Sequence, residues 1–188
     1  AGTLYPAVPS LAFNTVNLTN AELRGANVII TNFNWLGGSL NSDNAASNSI
    51  TIPTGGVFNI SGPTAKGISD YSSSNNGRRV INNGTLNWSG AGINGYWSSQ
   101  FINNNLFNVT SDLGYFWGGV GNGPWLINNG TFNLASGTDF TLSTVNFTNN
   151  GAFNITSGSL TMGGGSGGTL CFSSGSLNLD ASSFLYAN

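Results

Sequence analysis

The sequence predicts an all-β chain folded as a parallel β-helix, a β-solenoid of about seven to eight coils, and three observations carry that expectation. An asparagine between two apolar residues recurs seven times, as Phe33-Asn34-Trp35, Phe58-Asn59-Ile60, Leu86-Asn87-Trp88, Phe107-Asn108-Val109, Phe132-Asn133-Leu134, Phe153-Asn154-Ile155 and Leu177-Asn178-Leu179. The copies start roughly 21 to 28 residues apart, about 24 on average, a period typical of solenoid coils. Apolar and polar residues alternate at period two inside each copy, and no stretch sustains a 3.6-residue period. Asn-Gly and Ser-Gly pairs punctuate the copies at corresponding places, as corners do.

Taken in chain order, residues 1–25 contain Pro6 and Pro9 and fit the repeat poorly, so they read as a tail, an irregular first coil or a cap. The solenoid is expected over 26–188. Its best-kept stretch is Val80-Ile81-Asn82-Asn83-Gly84-Thr85-Leu86-Asn87-Trp88, matched by Leu126 to Leu134 and Phe147 to Ile155. In the copy from Phe101 to Val109 the glycine becomes Asn105. Asparagine is the non-glycine residue that best tolerates a left-handed backbone, so the position is expected to need a positive φ. Each unit then reads as a strand, an Asn-Gly corner, a second strand, and a second corner such as Ser61-Gly62, Ser89-Gly90, Ser136-Gly137 or Ser157-Gly158. Asn-Gly also favours hairpins, but hairpins do not explain why the same side chains return in every unit. Stacked coils do, at about 4.8 Å each, for a rod of about 35 to 40 Å. In that register Phe132, Leu134 and their counterparts point inward, while Asn34, Asn59, Asn87, Asn108, Asn133, Asn154 and Asn178 form an outward ladder. Such a ladder reinforces the stack through amide hydrogen bonds; the alternative is a binding face for glycan, ice or another subunit.

Composition narrows the function classes. Charged residues are 5% of 188 and the net charge is −2, against about 25% charged in an ordinary domain. Lys66, Arg24, Arg78 and Arg79 form no basic run, which argues against nucleic acid and anionic lipid as partners. No run of 18 apolar residues suggests a membrane span. Abundant Asn, Ser, Thr and Gly with scarce Lys and Glu suits an exported surface protein. The opening Ala1-Gly2-Thr3 is compatible with a mature end left by signal cleavage. Cys171, the single cysteine, sits in Leu170-Cys171-Phe172 and reads as a small buried hydrophobe.

Catalytic chemistry is sparse. The chain has no histidine, which removes Ser-His-Asp, Cys-His and histidine-metal systems. Polysaccharide hydrolysis needs converging carboxylates, yet Glu22, Asp43, Asp70, Asp112, Asp139 and Asp180 are isolated in sequence. Asp112 and Asp139 are the pair that neighbouring coils can bring together. The run from Gly163 to Gly168 has no aspartate and reads as a flexible loop rather than a calcium repeat. An ice-binding column of Thr85, Leu106, Thr131, Ala152 and Ser176 is too irregular. Lys66 can in principle enter an isopeptide bond beside an acid, but as a lone lysine it reads as solvated. No cofactor or metal is expected, and the chain reads as non-enzymatic.

Three sets of residues remain as candidate contacts. Tyr96, Trp97, Tyr115, Phe116, Trp117 and Trp125 lie in aromatic insertions; exposed, they form a platform for glycan or a partner, and otherwise they fold over an edge of the core. Leu4, Tyr5 and Val8 at one end, with Phe184, Leu185 and Tyr186 at the other, are apolar where solenoids usually carry polar caps against edge pairing. Either the chain is part of a longer solenoid, or these are the candidate assembly ends of a homopolymer formed by self-association, with the N-terminal tail pairing to a neighbour's exposed strand. N-glycosylation acceptors occur at Asn17, Asn59, Asn83, Asn87, Asn108, Asn129, Asn146 and Asn154, and they matter only where exported proteins are glycosylated.

The NNGTFN…SG repeats, over residues from about 28 to 180, resemble those of bacterial surface β-solenoids, including autotransporter passengers and filamentous-haemagglutinin-like adhesins. The resemblance implies an extracellular or cell-surface protein with an adhesive or structural role and no enzymatic activity. The leading expectation is a filament or surface-layer subunit joined end to end, with a glycan-binding adhesin as the alternative and a polysaccharide-degrading enzyme behind both.

Overall fold

The computed structural model describes residues 2–4, 10–43, 48–70, 77–163 and 168–187. Every strand pairing among them is parallel. Those residues hold no helix, so no helix is long and apolar enough to cross a membrane. Each coil contributes three short strands; the fourth coil, for example, has Arg79–Asn82, Thr85–Trp88 and Ile93–Gly95. The first strands of eight successive coils begin at residues 10, 27, 49, 79, 100, 125, 146 and 170, and pair in register as one stack. The second strands form a second stack, from 15–18 up to Ser176–Leu179. The third strands form a third, from Thr3–Leu4 up to Phe184–Ala187. This is a parallel β-solenoid, about 38 Å long at about 4.8 Å per coil.

Period-two alternation dictates what fills it. In the second stack Phe33, Phe58, Leu86, Phe107, Phe132 and Phe153 occupy one inward column, each at most 1% exposed. Rings in successive coils stack directly, with Phe33 and Phe58 centroids 4.6 Å apart and nearly parallel. The intervening asparagines form the outward ladder: Asn59 Nδ2 donates to Asn34 Oδ1 at 3.0 Å, Asn87 to Asn59 at 3.1 Å, and so on up to Asn178 onto Asn154 at 2.7 Å. Every donor in this ladder points toward the preceding coil.

The ladder has one more rung than the repeat suggested. Asn34 Nδ2 donates to Asn17 Oδ1 at 2.8 Å, and residues 10–18 pair with 27–35 along nearly their whole length. Residues 10–24 are therefore a complete coil, the first of the second stack, although Val16-Asn17-Leu18 stands only 17 residues before its partner copy at Phe33, outside the spacing of the others.

A second ladder runs inside the core, at the corner between the first and second stacks. Asn82, Asn103, Asn128 and Asn149 are each at most 1% exposed. Asn82 Nδ2 donates to Asn103 Oδ1 at 2.8 Å, Asn103 to Asn128 at 2.7 Å, and Asn128 to Asn149 at 2.6 Å. The same nitrogens reach the backbone carbonyls of Leu106, Thr131, Ala152 and Ser176, each in the next coil. A third, exposed ladder runs beside it from Asn83 through Asn104 and Asn129 to Asn150. The doubled asparagine at each corner thus serves one inward and one outward column.

Four local expectations are corrected. Gly84, Gly130 and Gly151 do not adopt positive φ, and neither does Asn105; the left-handed glycines include Gly55, Gly62 and Gly158 instead. What excludes a side chain at the corner is close stacking, because a Cβ on Gly84, Gly130 or Gly151 would lie 2.0 to 2.2 Å from a carbonyl oxygen of the coil below. Asn105 accommodates its side chain by turning the amide onto Gly84 O at 3.0 Å. Cys171 is exposed rather than buried, since it pairs with Thr148 in an outward row while Leu170 takes the inward place. Lys66 is 2% exposed, not solvated: it occupies an inward column between Gly38 and Ile93. Its stem packs inward and its ammonium turns back onto Thr64 O at 2.9 Å, with burial lowering its pKa. The third-stack strands of coils six and seven run through the Ser-Gly corner as bulged continuations of Thr131–Ser143 and Ala152–Gly163 instead of turning sharply.

Arg78 is fully buried. Its guanidinium donates to Gly25 O and, at 3.1 Å, to Asn41 O, tying the fourth coil to the first two. Burial lowers its pKa to about 10.

Candidate functional site

The fold divides the aromatic insertions: Tyr115, Phe116 and Trp117 stand in the third stack, Tyr96 and Trp97 follow its strand Ile93–Gly95, and Trp125 begins a strand of the first stack. Tyr115 is 1% exposed and belongs to the core. Its hydroxyl shares a 3.0 Å hydrogen bond with Ser99 Oγ, and burial pushes its pKa up. Phe116 is half-buried over Gly92, whose Cβ would come within 2.8 Å of its ring. Tyr96 and Trp97 are half-buried under the segment after Trp117. A Cβ at Gly118 would stand 1.7 Å from the Tyr96 ring, and one at Gly121 would stand 2.2 Å from the Trp97 ring. The glycines of 118–123 are thus what lets that segment lie flat on two aromatic faces. Trp97 and Ser98 pay for the tight turn beneath with left-handed backbones, φ 53° and 59°, a conformation that costs about 1–2 kcal/mol per residue. Trp117 and Trp125 remain at the surface, 38% and 36% exposed. Trp117 Nε1 donates to Val120 O at 3.2 Å, which holds its ring against its own loop.

An open groove of about 530 Å³ lies at the corner between the second and third stacks, lined by Pro63, Ser89, Thr110, Ser111, Asp112 and Leu113 among others. The Asp112 carboxylate stands 3.3 Å from where a Cβ on Gly137 would be. Asp139, two residues further, accepts a hydrogen bond from Ser159. The fold therefore places Asp112 and Asp139 on adjacent coils, both exposed. Among the described residues no three His, Cys, Asp or Glu side chains group as a metal site.

The assembly-end residues separate by register. Leu4 pairs with Leu23 through the two-residue strand Thr3–Leu4, while Tyr5 and Val8 lie outside the described residues, as do positions 164–167 of the glycine run. Phe184 and Tyr186 are 54% and 50% exposed, but they point outward from the flank, where their rings stack 6.0 Å apart. Leu185 faces inward above Leu160. Beside Leu185, two residues not singled out from sequence also stand in inward columns of that last described coil. Phe172 is 37% and Leu179 47% exposed, although both stand in inward columns. Leu179 sits directly on Ile155, which is 0% exposed. The period-two phase of Leu177-Asn178-Leu179 already pointed both leucines inward; their position in the last described coil is what leaves them uncovered.

Of the glycosylation acceptors, Asn59, Asn87, Asn108 and Asn154 use their amide nitrogens in the outward ladder, and Asn129 does so in the corner ladder. Asn17, Asn83 and Asn146 enter theirs as acceptors.

No family model, curated protein or solved structure matches this chain.

Proposed function

We propose that this protein is a non-enzymatic extracellular structural subunit that assembles end to end into a filament or surface layer. The observation that carries the reading is the uncovered core column at the eighth coil, where Leu179 is 47% exposed above a fully buried Ile155. The strands Leu170–Phe172, Ser176–Leu179 and Phe184–Ala187 pair on one side only among the described residues, and an edge of this kind offers backbone donors and acceptors together with apolar side chains to whatever coil or copy stacks on it. Covering a leucine or phenylalanine contributes about 1.5–3 kcal/mol.

The outward ladder adds direction. Its amides all donate toward the preceding coil, so Asn178 ends it as an acceptor and Asn17 enters it only by its oxygen. The Asn17 amide of a following copy, stacked head to tail, meets Asn178 with donor on acceptor; head-to-head stacking does not. The absence of histidine and the resemblance of the repeat to bacterial surface solenoids support a non-enzymatic, exported role.

Negative-stain microscopy of the purified chain tests this. Rods longer than one solenoid are expected, and Leu179→Glu with Phe172→Glu should leave particles no longer than one solenoid, with unchanged circular dichroism. Undiminished rods in that variant would sink end-to-end assembly. A second reading, a glycan-binding adhesin, is favoured by the exposure of Trp117 and Trp125.

A further inference from the structure

The outward side of the first stack breaks the rule that the second stack obeys. A solvent-facing strand row is ordinarily polar, and the second stack presents asparagines. The first stack presents, from the third coil to the seventh and in register, Thr51, Ile81, Ile102, Ile127 and Thr148. These side chains are half-buried, and Ile29, one coil earlier, is 43% exposed.

The row is a palindrome about Ile102. A two-fold axis through Ile102, parallel to the strands, sets Ile102 on Ile102, Ile81 on Ile127 and Thr51 on Thr148. The flanking outward row, Ser49, Arg79, Gln100, Trp125 and Asn146, follows the same operation: Gln100 meets Gln100, Ser49 meets Asn146, and Arg79 of one copy meets Trp125 of the other. An isologous interface requires a self-complementary patch of this kind. The one charge in the two rows then lies against the one exposed indole, a favourable cation–π pairing.

We infer that this face is an interface with a second copy of this chain, packed sheet on sheet about 10 Å apart. In-register β-branched side chains then meet row against row and exclude water between the two sheets. The axis at the fifth coil overlaps the second coil to the eighth, seven coils by four residues or roughly 34 by 13 Å, about 440 Å² per copy and about 900 Å² per pair, the size of a reversible, concentration-dependent contact. Lateral pairing does not depend on end-to-end assembly, because the face lies along the rod and not at its ends. Where both operate, they turn a single filament into a ribbon.

The test uses the 188-residue chain carrying Leu179→Glu and Phe172→Glu, so that end contacts do not contribute, with mass read by sedimentation velocity. A two-copy species is expected. Ile102→Lys, which opposes two charges at the axis, should convert it to one copy, while Asn133→Lys on the second stack should not. Trp125→Ala should raise the dimer dissociation constant about tenfold. With Cys171→Ser, Ile102→Cys should give a covalent pair with a short bismaleimide, and Asn133→Cys should not. A single-copy species at every concentration overturns the inference, as does a dimer indifferent to Ile102→Lys. Loss of polysaccharide retention on Ile102→Lys in a monomeric chain also overturns it, because the face then serves another occupant. Should Ile102→Lys fail to fold, the crosslinking variant still decides.

Discussion

Asn103 Nδ2 donates to Asn128 Oδ1 at 2.7 Å inside the core and to Thr131 O at 3.0 Å in the same overlying coil. One primary amide has two hydrogens, and here both tie a coil to the one above it, while Asn103 Oδ1 accepts from Asn82 below. Asn103→Leu removes these three bonds and a longer one from Nδ2 to Asn105 O at 3.3 Å, and leaves buried polar groups unpaired, at about 1–3 kcal/mol for each such group. A loss of about 2–4 kcal/mol is expected. Asn108→Leu, in the half-exposed outward ladder, lets water replace the lost partners and should cost about 1 kcal/mol or less. Urea midpoints compare the two, and equal losses would count against the inner ladder as the stronger tie.

Two kinds of glycine predict different rescue. A Cβ on Gly151 would stand 2.0 Å from Gly130 O, so Gly151→Ala must push two coils apart, at about 1–3 kcal/mol or more. Gly55 has φ +78° and open space around it, so Gly55→Ala costs about 1–2 kcal/mol through backbone strain alone. Gly55→Asn should recover most of that loss, because asparagine tolerates the left-handed region. Melting temperatures of the three variants check the order.

Tyr115 gives the fold an alkaline limit. Burial raises its pKa above the ordinary value near 10, so its neutral form is retained in the folded state while the unfolded chain ionises. That contribution is complete below pH 10 and declines as pH rises above it. Arg78 and Lys66 act in the opposite sense, since burial lowers both pKa values. The comparison is therefore with Tyr115→Phe, which should lose less stability between pH 9 and pH 11 than the parent, read from urea midpoints at each pH. A parallel decline in both proteins would exclude Tyr115 as the source.

The adhesin reading makes a separable prediction. Trp117→Ala with Trp125→Ala should reduce retention on immobilised polysaccharide at least tenfold, as loss of stacking anchors does. Tyr115→Phe should leave retention unchanged, because that ring lies in the core. Retention indifferent to both tryptophans would remove the glycan role.

Much of the architecture was legible from residues alone. The Phe-Asn-Leu alternation determines which side chain faces the core, and its return about every 24 residues requires coils to stack in parallel, because only stacking brings equivalent residues together. The inner ladder was legible in principle as well: Val80-Ile81-Asn82 continues the in-out-in phase and turns Asn82 inward. It was hidden because Asn-Gly pairs suggest turns, and because buried amides stand out only once their partners in adjacent coils are known. The first coil stood as only one of three readings of residues 1–25, because Val16-Asn17-Leu18 precedes Phe33 by 17 residues, short of the spacing between the other copies.

The sequence by itself determined the alternation, the period and hence the columns, because those depend on strand geometry and local spacing. Only the tertiary structure decided what each column meets. Whether Gly84 is needed for its φ or for its closeness to Gly56 O, whether Tyr115 is a platform or core, and whether Lys66 and Cys171 face in or out depend on the coil stacked beside them. Coil lengths vary with the insertions, so sequence spacing alone does not state which residues become neighbours. The palindrome about Ile102 has the same origin: its five residues are scattered from 51 to 148 and become a surface only when the coils align.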